Sequence, residues 1–178
     1  MSAKKTYRFQ YYVEGDCEKK LISVLKEQKT LILPGKVEKF NVIQERFSNM
    51  QLRTLSNKTI VILVFDTDKG ESDMLWENLR MLKKDSRIKA VWCVLQVDNL
   101  EDELIRSTDI KEIKELLPCP SNKEFKHYFL IEKRLFEKLR SHSFNFDRIW
   151  ISHPKNGFRE IENAGSMIKL CAKRGNSI

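Results

Sequence analysis

The chain has 178 residues, of which 41% are hydrophobic and 33% charged, with 33 Lys and Arg set against 25 Asp and Glu. That is the length of one domain, and its apolar fraction supplies a core, so a disordered chain and a disulfide-stapled one are both excluded. A net charge of +8 favours a polyanionic partner such as nucleic acid. Four Cys, at 17, 93, 119 and 171, form no Cys-x-x-Cys pair. They give no support to a zinc site and suit a reduced, cytoplasmic setting. The start, MSAKKTYRFQ, lacks an apolar signal core, and no apolar run nears the ~20 residues of a membrane span. Neither secretion nor a membrane partner is expected.

Residues 6–13 (TYRFQYYV) are aromatic and β-branched and predict a strand that ends at Glu14-Gly15. A helix follows over 17–28, with Asp16 as N-cap and Leu21, Ile22, Val24 and Leu25 as its apolar stripe. Pro34-Gly35 marks a turn with short strands on either side, and 45–55 reads as helical. The seven residues TIVILVF at 59–65 are all apolar or β-branched, the pattern of a strand buried on both faces. It ends in Asp66-Thr67-Asp68, with Gly70 just beyond. A helix over 71–84 carries Met74, Leu75, Leu79 and Leu82 on one face. Residues 88–97 form another strand, followed by Asp98-Asn99, a helical LEDELIR and a second helical stretch at 109–117. Pro118 and Pro120 bracket a linker to a long amphipathic helix over 123–140, whose Phe129, Leu130, Leu135, Phe136 and Leu139 are core candidates. The tail, 141–178, offers a short strand at 148–151 and a helix near 158–172.

Strands alternating with helices predict an α/β fold, a mostly parallel sheet flanked by helices with right-handed crossovers. Residues 1–117 form its core, and 118–178 a helical C-terminal extension packed on the same domain. In such a sheet ligands bind beyond the carboxyl ends of the strands. Three strands end in acid: Glu14 after the first, Asp66 and Asp68 after the central one, and Glu101, Asp102 and Glu103 past the fourth. If the strands are parallel these acids converge, and the repulsion calls for a hard divalent cation, Mg2+ or Mn2+. At a strand end, Asp-x-Asp sends both carboxylates to one side and Thr67 to the other. Glu18, one helical turn after Glu14, returns to the same edge.

The sequence strand-Glu14-Gly15-x-x-Glu18-helix, followed by strand-Asp66-x-Asp68, resembles a Toprim domain, the Rossmann-like catalytic fold of topoisomerases, bacterial primases, ribosomal RNA maturases and OLD nucleases. Asn99-Leu100-Glu101-Asp102-Glu103-Leu104 resembles the acidic third motif of the OLD-like branch. The resemblance spans roughly residues 6–105. It implies a Mg2+- or Mn2+-dependent site that hydrolyses phosphodiester bonds of DNA or RNA. Glu14 would be a metal ligand or general acid/base. Asp66 and Asp68 would hold the metal, with Glu18 and Glu101 as further ligands and Glu103 as the alternate to Glu101. A lysine from the downstream region, Lys126 or Lys123, would steady the phosphoryl charge and touch nucleic acid. OLD nucleases carry an ATPase on the same polypeptide. This chain has no Gly-rich Lys-Ser/Thr motif, so the ATPase would be absent here or supplied by an ATPase or other protein partner. Phage or mobile-element defence is an expectation from the same relatives.

Plainer readings stand beside these. Glu14 and Glu18 suit a solvated helix start, Asp66 and Asp68 a turn, and Glu101 to Glu103 an acidic first helical turn. Lys123 and Lys126 suit a solvated helix face, and Lys169, Lys173 and Arg174 a basic terminus. The Trp residues read as packing, and His127, His142 and His153 form no cluster. Rival functions are primase-like nucleotidyl transfer, a non-catalytic module binding nucleic acid or a partner, and a receiver- or phosphatase-like domain with Asp66 as nucleophile.

Overall fold

The computed structural model describes residues 6–69, 73–154 and 156–170. Four strands, β1 (Arg8–Val13), β2 (Lys36–Lys39), β3 (Thr59–Asp66) and β4 (Ile88–Gln96), form one sheet in the order β2-β1-β3-β4, every neighbouring pair parallel. Helices α1 (Asp16–Glu27), α2 (Asn49–Arg53), α3 (Asp73–Lys84), α4 (Leu100–Ser107), α5 (Phe125–Ile131) and α6 (Leu135–Ser141) flank it. The fold is α/β with Rossmann-like layering.

Burial explains the sequence of β3. Along it, Ile60, Ile62 and Val64 join Tyr11, Val13 and Val94 in a core layer with Leu21, Ile22 and Leu25 of α1, Leu100 and Leu104 of α4, and Phe125 and Phe129 of α5. The alternate residues, Val61, Leu63 and Phe65, pack on the other face with Tyr12, Leu52, Leu75, Leu79 and Phe158. A strand covered on both sides has no polar face to alternate with, and each fully buried aliphatic or aromatic side chain contributes roughly 1.5–3 kcal/mol.

The strand order fixes where a site can form. From β1 the chain crosses to β2 on one side, then returns past β1 to β3 and β4 on the other. The carboxyl ends of β1 and β3 therefore bound the topological switch point, where helices depart in opposite directions and leave a crevice. The outer edge of β4 is partly closed by the C-terminal segment. Ala164 donates its N–H to Cys93 O at 2.7 Å, and the Asn163 amide accepts from Leu95 N at 3.2 Å in place of a fifth strand.

Several expected elements differ. The helix over 17–28 begins at Asp16 with Gly15, not Asp16, as N-cap. The helix over 45–55 contracts to α2, and the stretch 109–117 holds only a 3-10 turn, Ile113–Glu115. Before Pro34 there is an isolated bridge at Ile32 rather than a strand. The long helix over 123–140 breaks into α5 and α6. At the break Lys20 Nζ donates to the Leu130 and Glu132 carbonyls; Leu135 and Leu139 are buried and Leu130 is exposed.

The C-terminal extension is α-helical only to Ser141, with one short 3-10 turn, Asn156–Phe158, beyond it. Residues 148–151 form no strand, and 159–170 run in turns rather than a helix. They are held one anchor at a time, by Phe158, Ile161 and Ile168 in the core and by Leu33 N donating to Ile168 O at 2.9 Å. Lys169 is no solvated terminus. It is buried, with Nζ donating to the carbonyls of Asp147 (3.1 Å) and Ile149 (2.6 Å). Gly70, Cys171, Lys173 and Arg174, and the last two residues of the helix expected near 158–172, lie outside the described residues.

Candidate active site

Glu14 leaves β1 with its N–H bonded to Val64 O at 3.2 Å, so the β1–β3 ladder carries it to the end of β3. Its carboxylate is held from two sides. Oε2 accepts the Asp66 backbone N–H at 3.1 Å, and Oε1 accepts Nδ2 of Asn41, which follows β2, at 3.0 Å. One turn into α1, Glu18 comes back to the same edge and is 7% exposed. Gly15 makes room for it, since a Cβ there would stand 2.7 Å from Glu18 Oε2.

Asp66 is the last residue of β3, and its Oδ1 is buried without a hydrogen-bond partner. Thr67 turns to β4 instead. Its N–H reaches Gln96 O and Asp98 O, each at 3.1 Å, and its Oγ1 accepts from Asp98 N at 3.0 Å. This stitching leaves Asp66 and Asp68 to line one cleft of about 440 Å³ together with Glu101, Lys111, Asn122 and Lys126. Asp98 sits at φ 68°, a left-handed conformation that Asp tolerates, and the chain then enters α4, capped by Asn99 Oδ1 on Asp102 N at 3.0 Å.

The charges interact strongly. Burial, reinforced by Glu18, Glu14, Asp68 and Glu101, pushes the Asp66 carboxyl up to about 8. Glu18 is likewise raised, first by burial and then by Glu14 and Glu101, against the pull of its own backbone hydrogen bond and of Lys126. Lys126 Nζ stands 3.6 Å from Glu101 Oε1. Burial works against its charge, but Glu101, Glu18 and Asp66 outweigh it and hold the ammonium above its usual range. Phe125 and Phe129 set this lysine in place by anchoring α5 in the core beside α1.

Glu14, Glu18, Asp66, Asp68, Glu101 and Lys126 thus lie near one another at the strand ends, with Asp66, Asp68, Glu101 and Lys126 lining the cleft and Glu14 and Glu18 outside its lining. Glu103 is not among them. It is fully buried, with Oε1 accepting from Val97 N (3.0 Å) and Arg106 (2.9 Å) and Oε2 from Trp150 N (2.8 Å), so its work is to tie α4 to the C-terminal extension. Lys123 is exposed and does not line the cleft. Sequence reasoning missed Asn41, Lys111 and Asn122. Only their places, after β2 for Asn41, after α4 for Lys111 and before α5 for Asn122, would have pointed to them.

The donor set fits a hard divalent cation. It consists of carboxylate oxygens, one of them an orphaned buried atom, and carries more negative charge than Lys126 offsets. Asp66, Asp68 and Glu101 are the residues placed to hold it. Among the described residues no three His, Cys, Asp or Glu side chains form a group that could hold a metal ion as they stand. Among the same residues no helix is long and apolar enough to cross a membrane.

No protein-family model matches the chain, and comparison with curated proteins and with solved structures gives no match.

Proposed function

We propose that the chain is a Toprim-type, Mg2+- or Mn2+-dependent phosphodiesterase that hydrolyses DNA or RNA. The observation that carries this reading is Asp66. It is a largely buried carboxylate with an unpartnered oxygen, set at the switch point among Glu14, Glu18, Asp68 and Glu101, with Lys126 across the cleft. A bound divalent cation supplies charge neutralisation at the phosphoryl oxygens and acidifies water for attack. The remaining roles belong to the chain. Glu14, clamped by Asn41 and by the Asp66 N–H, orients the edge of the site. Glu18, whose buried carboxyl favours the protonated form, would give its proton to the leaving oxygen as the P–O bond breaks and regain one from solvent, while the attacking water loses its own proton to solvent. Lys126 lies where it would steady the extra negative charge of the pentavalent state. The net charge of +8 around an acidic cleft suits a nucleic-acid backbone. An ATPase or other protein partner belongs to the same proposal.

The test is incubation of purified protein with plasmid, single-stranded DNA and structured RNA, each with Mg2+, Mn2+ or chelator, beside Asp66→Ala. Metal-dependent cutting lost in the variant supports the reading. Equal cutting by the variant sinks it.

A second reading has one observation in its favour. The order β2-β1-β3-β4 is also that of doubly wound sheets of the receiver kind, whose ligand sits at the β1–β3 switch point. Asp66 would then attack the phosphorus of acetyl phosphate, releasing acetate and leaving an acyl phosphate. A mass increase of one phosphoryl group on Asp66 would favour this reading over hydrolysis.

A further inference from the structure

One strand over from Asp66, Gln96 ends β4. The two are register partners across β3 and β4. Partners on adjacent parallel strands send their side chains to the same face, about 4.8 Å apart at the backbone. The residues below them confirm the face, since Ile62, Val64 and Val94 share one core layer. Gln96 is 0% exposed, and neither its Oε1 nor its Nε2 has a hydrogen-bond partner. Asp66 Oδ1 is in the same condition. The Gln96 main chain is committed, its carbonyl accepting from Thr67 N (3.1 Å) and Thr67 Oγ1 (3.3 Å), so the residue is pinned with its amide idle.

A buried amide without partners leaves its desolvation unrecovered, and Met or Leu would fill similar volume without that cost. Beside a cluster of carboxylates, however, an amide has properties no other side chain combines. It donates two N–H groups to a carboxylate, adds no further negative charge, and brings no positive charge to compete with a cation.

We propose that Gln96 is the positioning residue of the cation site. In the metal-free protein the amide is idle; when a divalent cation binds, it would take hold of one Asp66 carboxylate oxygen, directly or through one ordered water, so that the opposite oxygen is presented to the cation. This rests on the metal-site reading above. Outer groups of this kind tune a metal site without touching the metal.

The experiment is a calorimetric Mn2+ titration of the wild type, Gln96→Met and Asp66→Asn, with thermal melting of each in chelator. Gln96→Met should weaken Mn2+ binding by about 10- to 100-fold. Its melting temperature in chelator should equal or exceed that of the wild type, because an unpartnered amide is gone. An amide with a purely structural role would behave in the opposite way, lowering the melting temperature and sparing the affinity. If Gln96→Met fails to fold, Gln96→Leu takes its place. Mn2+ affinity within about twofold of wild type in the folded variant overturns the role of Gln96 and leaves the metal site standing. A wild type that binds no Mn2+ overturns both.

Discussion

The backbone N–H of Asp66 donates to the Glu14 carboxylate at 3.1 Å, so the first strand's acid is bonded to the peptide of the third strand's acid. The bond spans the switch point and sets the spacing of the two carboxylates before any ligand arrives. A Gln at 14 keeps an oxygen for that N–H but removes the carboxylate charge. Glu14→Gln is therefore expected to melt within a few degrees of wild type while losing at least ~100-fold in metal-dependent cleavage, about 2.7 kcal/mol. Activity near wild type would mean that the Glu14 charge is not used.

Asp66 makes stability depend on pH in an unusual direction. Its carboxyl holds its proton up to about 8 in the folded protein, against an ordinary value of 3.8. Between those values the folded state binds a proton that the unfolded state has released. Stability in chelator should then fall as pH rises from about 4 to 8 and level off above, with Glu18 contributing in the same sense. Asp66→Asn removes its share of the slope. Melting curves at pH 5, 6.5 and 8 check this, and a wild-type melting temperature that rises across the range would contradict it.

Cation binding should reverse that slope. Mg2+ competes with the proton, so the stabilisation it brings should be larger at pH 8 than at pH 5. At about 100 times its dissociation constant it adds ~2.7 kcal/mol, a rise of roughly 5–10 °C for a chain of this size. Equal shifts at both pH values would place the bound cation away from Asp66.

Glu101 and Glu103 separate chemistry from architecture. Glu103→Ala leaves Arg106 and two backbone N–H groups without their acceptor in the core. It should cost about 3–5 kcal/mol of stability. Glu101→Ala opens a half-buried cleft position and should change the melting temperature little while cutting activity sharply. Chemical denaturation and cleavage assays on the pair would expose the opposite pattern if the assignment is reversed.

This pair also marks how far the sequence is legible. Successive residues on a helix turn by about 100°, so Leu100, Glu103, Leu104 and Ser107 share one face while Glu101 lies off it. That face is the buried one. The apolar spacing alone therefore sorted Glu101 from Glu103, but counting acids after a strand did not use it. The apolar run of β3 and the stripes of α1 and α3 were readable because one local period decides them. The buried amides were not. Asn78 bonds Phe47 N, Val42 O and Glu45 O at 2.7–2.9 Å, and nothing in the periodicity of α3 separates it from a surface polar residue. The C-terminal extension was least legible, since Trp150, Ile168 and Lys169 are held by contacts distant in sequence rather than by local pattern.

Lys126 and Lys123, three residues apart, give an internal control. Lys126 faces Glu101 in the cleft and Lys123 is exposed outside its lining. Lys126→Ala should slow cleavage by about 10²-fold, the scale for losing one donor at developing charge. Lys123→Ala should weaken nucleic-acid binding slightly, more at low salt than at high, and leave turnover unchanged. Equal losses in both would reduce Lys126 to a surface charge.

A crystal soaked in Mn2+ and measured at the manganese absorption edge tests the metal site most directly. The expected result is an anomalous peak at the end of β3, against the Asp66 carboxylate and within reach of Asp68 and Glu101, that disappears in Asp66→Ala. A saturating soak with no peak there, or with its peak elsewhere on the molecule, would contradict the assignment of these carboxylates to a catalytic cation.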